Sequence, residues 1–239
     1  RGSVTDFSFG DISVEVVGKS DTPIHLGYLS GNSFEIVVRD VDAGVVARAK
    51  SLVADPFVIP NLFGEQRFST NNAAVGKAIV KGEFEEAAKL VMEQGGTVQS
   101  LVGDHLMKQP TDFVGALRCV PSKLLMLYVH AYQSLLFNRL LKGFAGDVDL
   151  ELPLIGFGTE LDDFSSDIQE ATEKIMDEEG ITLRDFVVRQ LPEASSEGTT
   201  RKAFVEIADF EMKETDVVTL SFTLPKNSYA TVVVDYLFG

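Results

Sequence analysis

The sequence predicts an α+β fold in which a mainly helical region is inserted into a sheet domain. Three observations carry that expectation. β-branched residues at period two sit at both ends of the chain, the stretch between them is apolar at helical spacing, and Gly and Pro punctuate the changeovers. The expected division places residues 1–70 and 205–239 in one sheet domain and residues 71–204 in a helical insertion. A chain of 239 residues with 45% hydrophobic content is long and apolar enough to bury a sizeable core.

In order, the region from Val4 to Arg39 reads as β structure. Ile12–Val17 alternates, Ser33–Arg39 repeats the pattern, and Gly27, Gly31 and Asn32 supply the turn chemistry between them. Asp42–Ala54 has apolar residues at helical spacing and is stopped by Asp55-Pro56. Asn71–Lys81 and Glu83–Gln94 are the next helices, the second closed by Gly95-Gly96. Pro121–Leu141 is the longest apolar helix, with Leu124, Leu127, Tyr128, Ala131, Leu135 and Leu136 on a broad face. Asp163–Gly180 is a further helix and Thr182–Phe186 a short one. Pro192–Gly198, acidic and rich in small residues, is expected to be a linker crossing between domains. Ala203–Ile207, Val217–Leu224 and Ala230–Leu237 return to strand composition.

Bulk properties narrow the function. The single cysteine, Cys119, excludes an internal disulfide framework, fits a reducing compartment, and among apolar neighbours is expected to be a buried, inert thiol. The three histidines (His25, His105 and His130) are scattered, and one cysteine cannot complete a Cys/His zinc site, so no metal site is expected. No apolar run reaches the ~20 residues of a membrane helix, and the start does not resemble a signal peptide. The net charge of −15 is unusual for a nucleic-acid binder. Its distribution is uneven. Acids crowd into 160–167, 177–179 and 206–216, which read as solvated faces and turns. Arg67, Lys77, Lys81 and Lys89 form one basic set, and Arg118, Lys123, Arg139 and Lys142 a second.

The most informative segment is Pro60-Asn61-Leu62-Phe63-Gly64-Glu65-Gln66-Arg67-Phe68. Pro60 and Gly64 punctuate a turn. Phe63 and Phe68 offer ring faces on which a base could stack, and Arg67 offers a planar fork for phosphate or carboxylate. The residues equally allow a plain structural loop with two Phe anchors and an Arg–Glu pair.

That nonapeptide resembles the Asn-Tyr-Phe-Gly-x-Gln-Arg-Phe-Gly motif of the TruD family of tRNA pseudouridine synthases. Gly115–Asn138, with its Ala131-Tyr132-Gln133-Ser134-x-x-Phe137-Asn138 run, closely resembles another segment of that family. Leu26-Gly27-x-x-x-Gly31-Asn32-x-Phe34-x-Ile36, Leu152–Phe157 and Phe222-x-Leu224-Pro225-x-x-Ser228-Tyr229-Ala230-Thr231 follow in the family's order, so the likeness spans nearly the whole chain. Its style is archaeal or eukaryotic.

The resemblance implies a pseudouridine-synthase sheet domain, mixed or antiparallel, interrupted by a TruD-type helical insertion. It implies Asn61, Phe63, Gln66, Arg67, Phe68 and Tyr229 as residues that meet the substrate RNA, with Phe63 stacking on the target uracil. It implies tRNA or another structured RNA as partner, no cofactor, and a place in the cytoplasm, or the nucleus in a eukaryote. In the family the catalytic Asp lies in a Gly-x-Lys-Asp motif. Here the nearest match is Gly18-Lys19-Ser20-Asp21, with Ser before the acid, and Asp21 reads as a surface turn residue. The expectation is therefore that the catalytic Asp lies upstream of Arg1, in an N-terminal segment of the same enzyme, and that this chain alone is inactive. Two further departures are Ser69 where the family has Gly, and Asp235-Tyr236 where it has Arg-Glu. A homologue that binds structured RNA without modifying it, and an acidic protein-interaction module on the same fold, remain open beside the enzyme.

Overall fold

The computed structural model describes residues 5–10, 12–18, 21–23, 25 and 28–239. Lys19, Ser20, Leu26 and Gly27, singled out above, lie outside the described residues, as does Val4. The chain divides into two compact units, residues 1–30 and residues 31–239. In the first, β1 (Phe7–Phe9) and β2 (Ile12–Val14) form an antiparallel hairpin with Phe7 opposite Val14. The alternation of Ile12–Val17 is thus used as strand only as far as Val14. Asp21 is exposed.

The second unit runs β3 (Gly31–Val38), α1 (Ala43–Leu52), β4 (Val58–Pro60), α2 (Asn72–Val80), α3 (Phe84–Glu93), α4 (Gly96–Lys108), α5 (Phe113–Arg118), α6 (Ser122–Leu141), β5 (Glu151–Leu154), α7 (Ser166–Glu179), β6 (Thr199–Lys202), β7 (Phe204–Glu206), β8 (Ala208–Glu214), β9 (Val218–Pro225) and α8 (Ala230–Phe238). The fold is α+β, and every named strand pair is antiparallel.

β9 is the centre of a three-stranded sheet. It pairs with β3 in full register, from Gly31 opposite Pro225 to Val38 opposite Val218, and on its other side with β8. Val218, Leu220, Phe222 and Leu224 alternate inward, the burial that period two demands. The inner face is covered by α1 and α8. Asp42 caps α1, its Oδ1 accepting from the Gly44 N–H at 2.7 Å, and Val46 and Ala49 turn inward.

Ala230–Leu237, expected as a strand, is the helix α8. The run Val232–Val234 has strand composition, but Val233 and Leu237, one helical turn apart, are fully buried against the sheet, so tertiary packing overrides β propensity. The acidic stretch 206–216, expected as solvated faces and turns, contains the edge strand β8. Its charges face water along an edge, where they discourage further strand pairing.

The second core is helical. α6 is buried nearly all round, and its inward residues include Leu125, Tyr128, Val129, Tyr132, Leu136, Phe137 and Leu140. Leu124 and Leu127 are only partly buried and Leu135 is exposed, so the broad face read from spacing is rotated: a helix packed on several sides has no single apolar stripe. Gly76 lets α2 lie directly on α6, since a Cβ there would stand 2.0 Å from the Tyr128 carbonyl oxygen.

The segment expected to be a crossing linker, Pro192–Gly198, is braced instead. Ala194 is fully buried, and the buried Ser196 hydroxyl donates to Gln133 Oε1 at 2.9 Å. Among the described residues, no helix is long and apolar enough to cross a membrane.

Candidate active site

β4 ends at Pro60, opposite Phe204 of β7. The chain then turns through Asn61–Gly64 into a 3-10 turn, Glu65–Arg67. Gly64 is required by close approach: a Cβ would stand 2.8 Å from Thr231 Oγ1 and 3.2 Å from the Tyr229 ring. The loop is thereby pressed onto the start of α8. Its other side lies along α6, where His130, Gln133, Ser134, Phe137 and Asn138 follow one another at helical spacing on one face.

Phe63 is held through its backbone. Its N–H donates to Asn138 Oδ1 and its carbonyl accepts from Asn138 Nδ2, both at 2.9 Å. Its ring meets Phe137 and Tyr229 edge-on, at centroid distances of 5.6 and 6.0 Å. Two guanidinium groups attend the same ring: the Cζ of Arg201 lies 4.1 Å from the centroid and that of Arg67 lies 5.8 Å away.

Asn61 is a brace. Its Nδ2 donates to the Lys202 carbonyl at 3.0 Å, and its Oδ1 accepts from Arg201 at 2.8 Å and from Ser228 at 3.2 Å. Arg201 also donates to the Asn61 carbonyl through Nε and Nη2. These bonds tie the loop to β6 and to the Ser228–Thr231 segment. They leave the Asn61 amide little capacity for a base edge.

The residues enclose a cleft of about 1000 Å³, lined among others by Asn61, Phe63, Arg67, His130, Arg201 and Tyr229. Of the residues expected from sequence, Asn61, Phe63, Arg67 and Tyr229 come together here. Gln66 is exposed and Phe68 partly buried beside the cleft rather than in its lining.

The electrostatics are unusual. Arg67 donates Nε to Ser134 Oγ at 3.2 Å. Among the described residues, neither Arg67 nor Arg201 has a carboxylate within ion-pair distance. Burial, with a smaller contribution from Arg67, lowers the Arg201 guanidinium to about 10, while Tyr229 acts in the opposite sense. Burial, then Arg67, also pushes His130 below the ordinary imidazole range. The cleft therefore carries two guanidinium cations with no carboxylate in ion-pair contact, beside a half-buried aromatic ring, although Asp149, Glu151, Glu197 and Glu206 also line its walls. That is a site for a flat ring attached to an anion.

Arg201 and Asn138 were not read from sequence as site residues. Asn138 lies within the motif quoted above; Arg201 sits in a short Thr-Thr-Arg-Lys strand with no signature of its own. Two other expectations change. The second basic set is partly neutralised, because Arg139 pairs with Glu178 and Glu179, and Lys77 of the first set also pairs with Glu179. Cys119, expected to be buried, is exposed at the end of α5.

The model of the family tRNA pseudouridine synthase D (TruD) matches residues 2–100, 97–144 and 144–236. A protein of Methanosarcina acetivorans described as a probable tRNA pseudouridine synthase D is 28% identical, over 94% of this chain and 71% of its own length. One of Nanoarchaeum equitans with the same description is 28% identical, over 100% of this chain and 74% of its own. The crystal structure of a protein described as tRNA pseudouridine synthase D (TruD) from Methanosarcina mazei superposes with a TM-score of 0.79 at 26% identity, covering 97% of this chain and 74% of that one.

Proposed function

The chain belongs to the TruD family of tRNA pseudouridine synthases, and from that premise we propose that the cleft around Phe63 receives a uridine drawn out of a tRNA. The observation that carries this reading is the pair Arg67 and Arg201, cationic and without carboxylate partners, beside a ring whose backbone is fixed at both N–H and C=O. We also propose that residues 1–70 and 205–239 act as the sheet domain of the synthase and residues 71–204 as its insertion.

Isomerisation breaks the C1′–N1 glycosidic bond, turns the uracil and joins C1′ to C5, with loss of the C5 proton. The base must first leave its stack, at a cost of roughly a few kcal/mol. Phe63 offsets part of that cost by stacking on the freed uracil. The guanidinium groups of Arg67 and Arg201 hold the neighbouring phosphate. Asn61 acts by bracing the loop, and Tyr229 and Phe137 wall the ring. The carboxylate nucleophile that the family resemblance implies sits in a Gly-x-Lys-Asp motif, which these 239 residues lack. We therefore expect no tritium release from C5-labelled uridine in tRNA by the 239-residue chain by itself.

The decisive residue is Phe63. In an enzyme that includes the motif, Phe63→Ala should lose about 1–3 kcal/mol of stacking in single-turnover rate. tRNA affinity should change little, and Phe63→Tyr should be tolerated. A core anchor would behave otherwise, losing roughly 3–5 kcal/mol of stability. A large fall in melting temperature with the rate per folded molecule intact would remove Phe63 from the site.

A further inference from the structure

Cys119 has surroundings that the tRNA cleft does not explain. It caps the C-terminus of α5, seven residues after Asp112, which caps the N-terminus. His105, from α4, spans the two. Its Nδ1 lies 3.8 Å from Cys119 Sγ and its Nε2 lies 2.9 Å from Asp112 Oδ2. Asp112 is held in turn, its Oδ1 accepting from the Gly115 N–H at 2.9 Å. That bond and the one from His105, in that order, keep its carboxyl below the usual carboxylate range.

A carboxylate on Nε2 fixes the hydrogen there, so Nδ1 presents its lone pair toward the sulfur. The arrangement depends on Gly115: a Cβ at that position would stand 2.0 Å from Asp112 Oδ2 and 2.7 Å from His105 Nε2. The thiol has a competing acceptor in the Gly115 carbonyl at 3.4 Å. Arg118 bears on Asp112, and Glu83, Glu85, Glu86 and Lys89 line a surface cleft together with Asp112.

We propose that Cys119, His105 and Asp112 form a thiol–imidazole–carboxylate relay that makes Cys119 a modification site for low-molecular-weight disulfides. His105 takes the thiol proton as Sγ attacks one sulfur of RSSR. The RS–SR bond breaks as the Cys119–SR bond forms, and RS⁻ leaves and takes up a proton. The disulfide supplies the oxidising equivalent, and excess RSH reverses the step. No bound cleft is needed, because Cys119 is an exposed residue. The product carries its adduct on the α4–α5 surface.

The chain has one cysteine, so any thiol signal is its own. The experiment follows thiolate release from an aromatic disulfide by the intact chain between pH 5.5 and 9, and by the same chain in urea. The native rate at pH 7 is expected to exceed the rate in urea by at least roughly tenfold. His105→Gln should remove the excess and leave a plain thiol pH profile, and Asp112→Asn should remove part of it while keeping the helix cap. A native rate at or below the rate in urea overturns the proposal without any variant. So does a folded His105→Gln protein with the native rate and profile.

Discussion

Two regions of this molecule hold partly buried cations beside aromatic rings, and they solve the problem in opposite ways. At the contact of α6 with α7, Glu179 accepts from Lys77 at 2.9 Å, from the Tyr132 hydroxyl at 2.8 Å and from Arg139. Burial would raise the Glu179 carboxyl, but the bonds from Lys77, Tyr132 and Arg139 hold it below its ordinary range. At the cleft, Arg67 and Arg201 are left with hydroxyl, carbonyl and amide oxygens. The helical core pairs its cations directly with a carboxylate, while the cleft keeps Arg67 and Arg201 out of ion-pair contact with the carboxylates that also line it. An unneutralised guanidinium in a half-buried site is expensive as structure and useful as a binding group.

The comparison breaks most readily at Glu179. Glu179→Ala strands Lys77 and the Tyr132 hydroxyl and leaves Arg139 with Glu178 alone. About 2–4 kcal/mol should be lost, somewhat below a fully buried pair because Lys77 and Arg139 keep part of their hydration. Denaturant unfolding of the whole chain reads this directly, and a loss under about 1 kcal/mol would show that solvent already screens the group. The matched change in the cleft is Arg201→Met, which keeps the stem and removes the charge. Its stability should fall by no more than about 1–3 kcal/mol, since an unpaired charge leaves but the Asn61 carbonyl loses its partner. RNA affinity should fall, and the slope of log affinity against log salt should shrink by about one. A stable protein with an unchanged salt slope would deny the cleft its phosphate.

The same contrast explains what the sequence could show. The loop Pro60–Phe68 was legible because turn chemistry is local: Pro, Gly and the aromatic residues declare themselves without knowing the rest of the fold. Arg201 was not, because it reaches Asn61 across 140 positions, brought there by the pairing of β4 with β7. α4 was missed because Gly95-Gly96 was read as the stop of the preceding helix. Both glycines are left-handed, at φ +75° and +70°, which lets the next helix begin at once. Val232–Val234 misled for the reverse reason, since strong local propensity gave way to the packing of α8 on the sheet.

A smaller effect is expected at the loop's end. Ser69, where the resembled motif has Gly, sits at φ +46°, a left-handed conformation that a side chain opposes. Ser69→Gly should relieve that strain against the extra entropy of the unfolded chain, for a net gain of up to about 1 kcal/mol. A loss would mean that the Ser hydroxyl contributes a bond worth more than the strain.

The finest test is the protonation of His130. Its folded-state affinity for protons is depressed by burial and by Arg67, from an unperturbed 6.5. The unfolded chain therefore binds the proton more readily. Stability is unaffected by this group well above pH 6.5 and is lost as pH falls from there through the folded midpoint. Asp112, Asp167 and Glu179, also depressed, act lower, as pH falls below their ordinary values of 3.8, 3.8 and 4.5. His130→Gln should therefore flatten only the upper part of the acid limb, and an unchanged limb would remove His130 from the cleft's charge balance. Imidazole NMR of the parent chain then tests the cleft itself. If Arg67 lies in an anion site, inorganic phosphate should offset its field and move the His130 midpoint upward, while Arg67→Gln should raise the midpoint and abolish the response. A midpoint indifferent to phosphate would leave Arg67 a structural cation like Lys77, and the two regions would no longer differ.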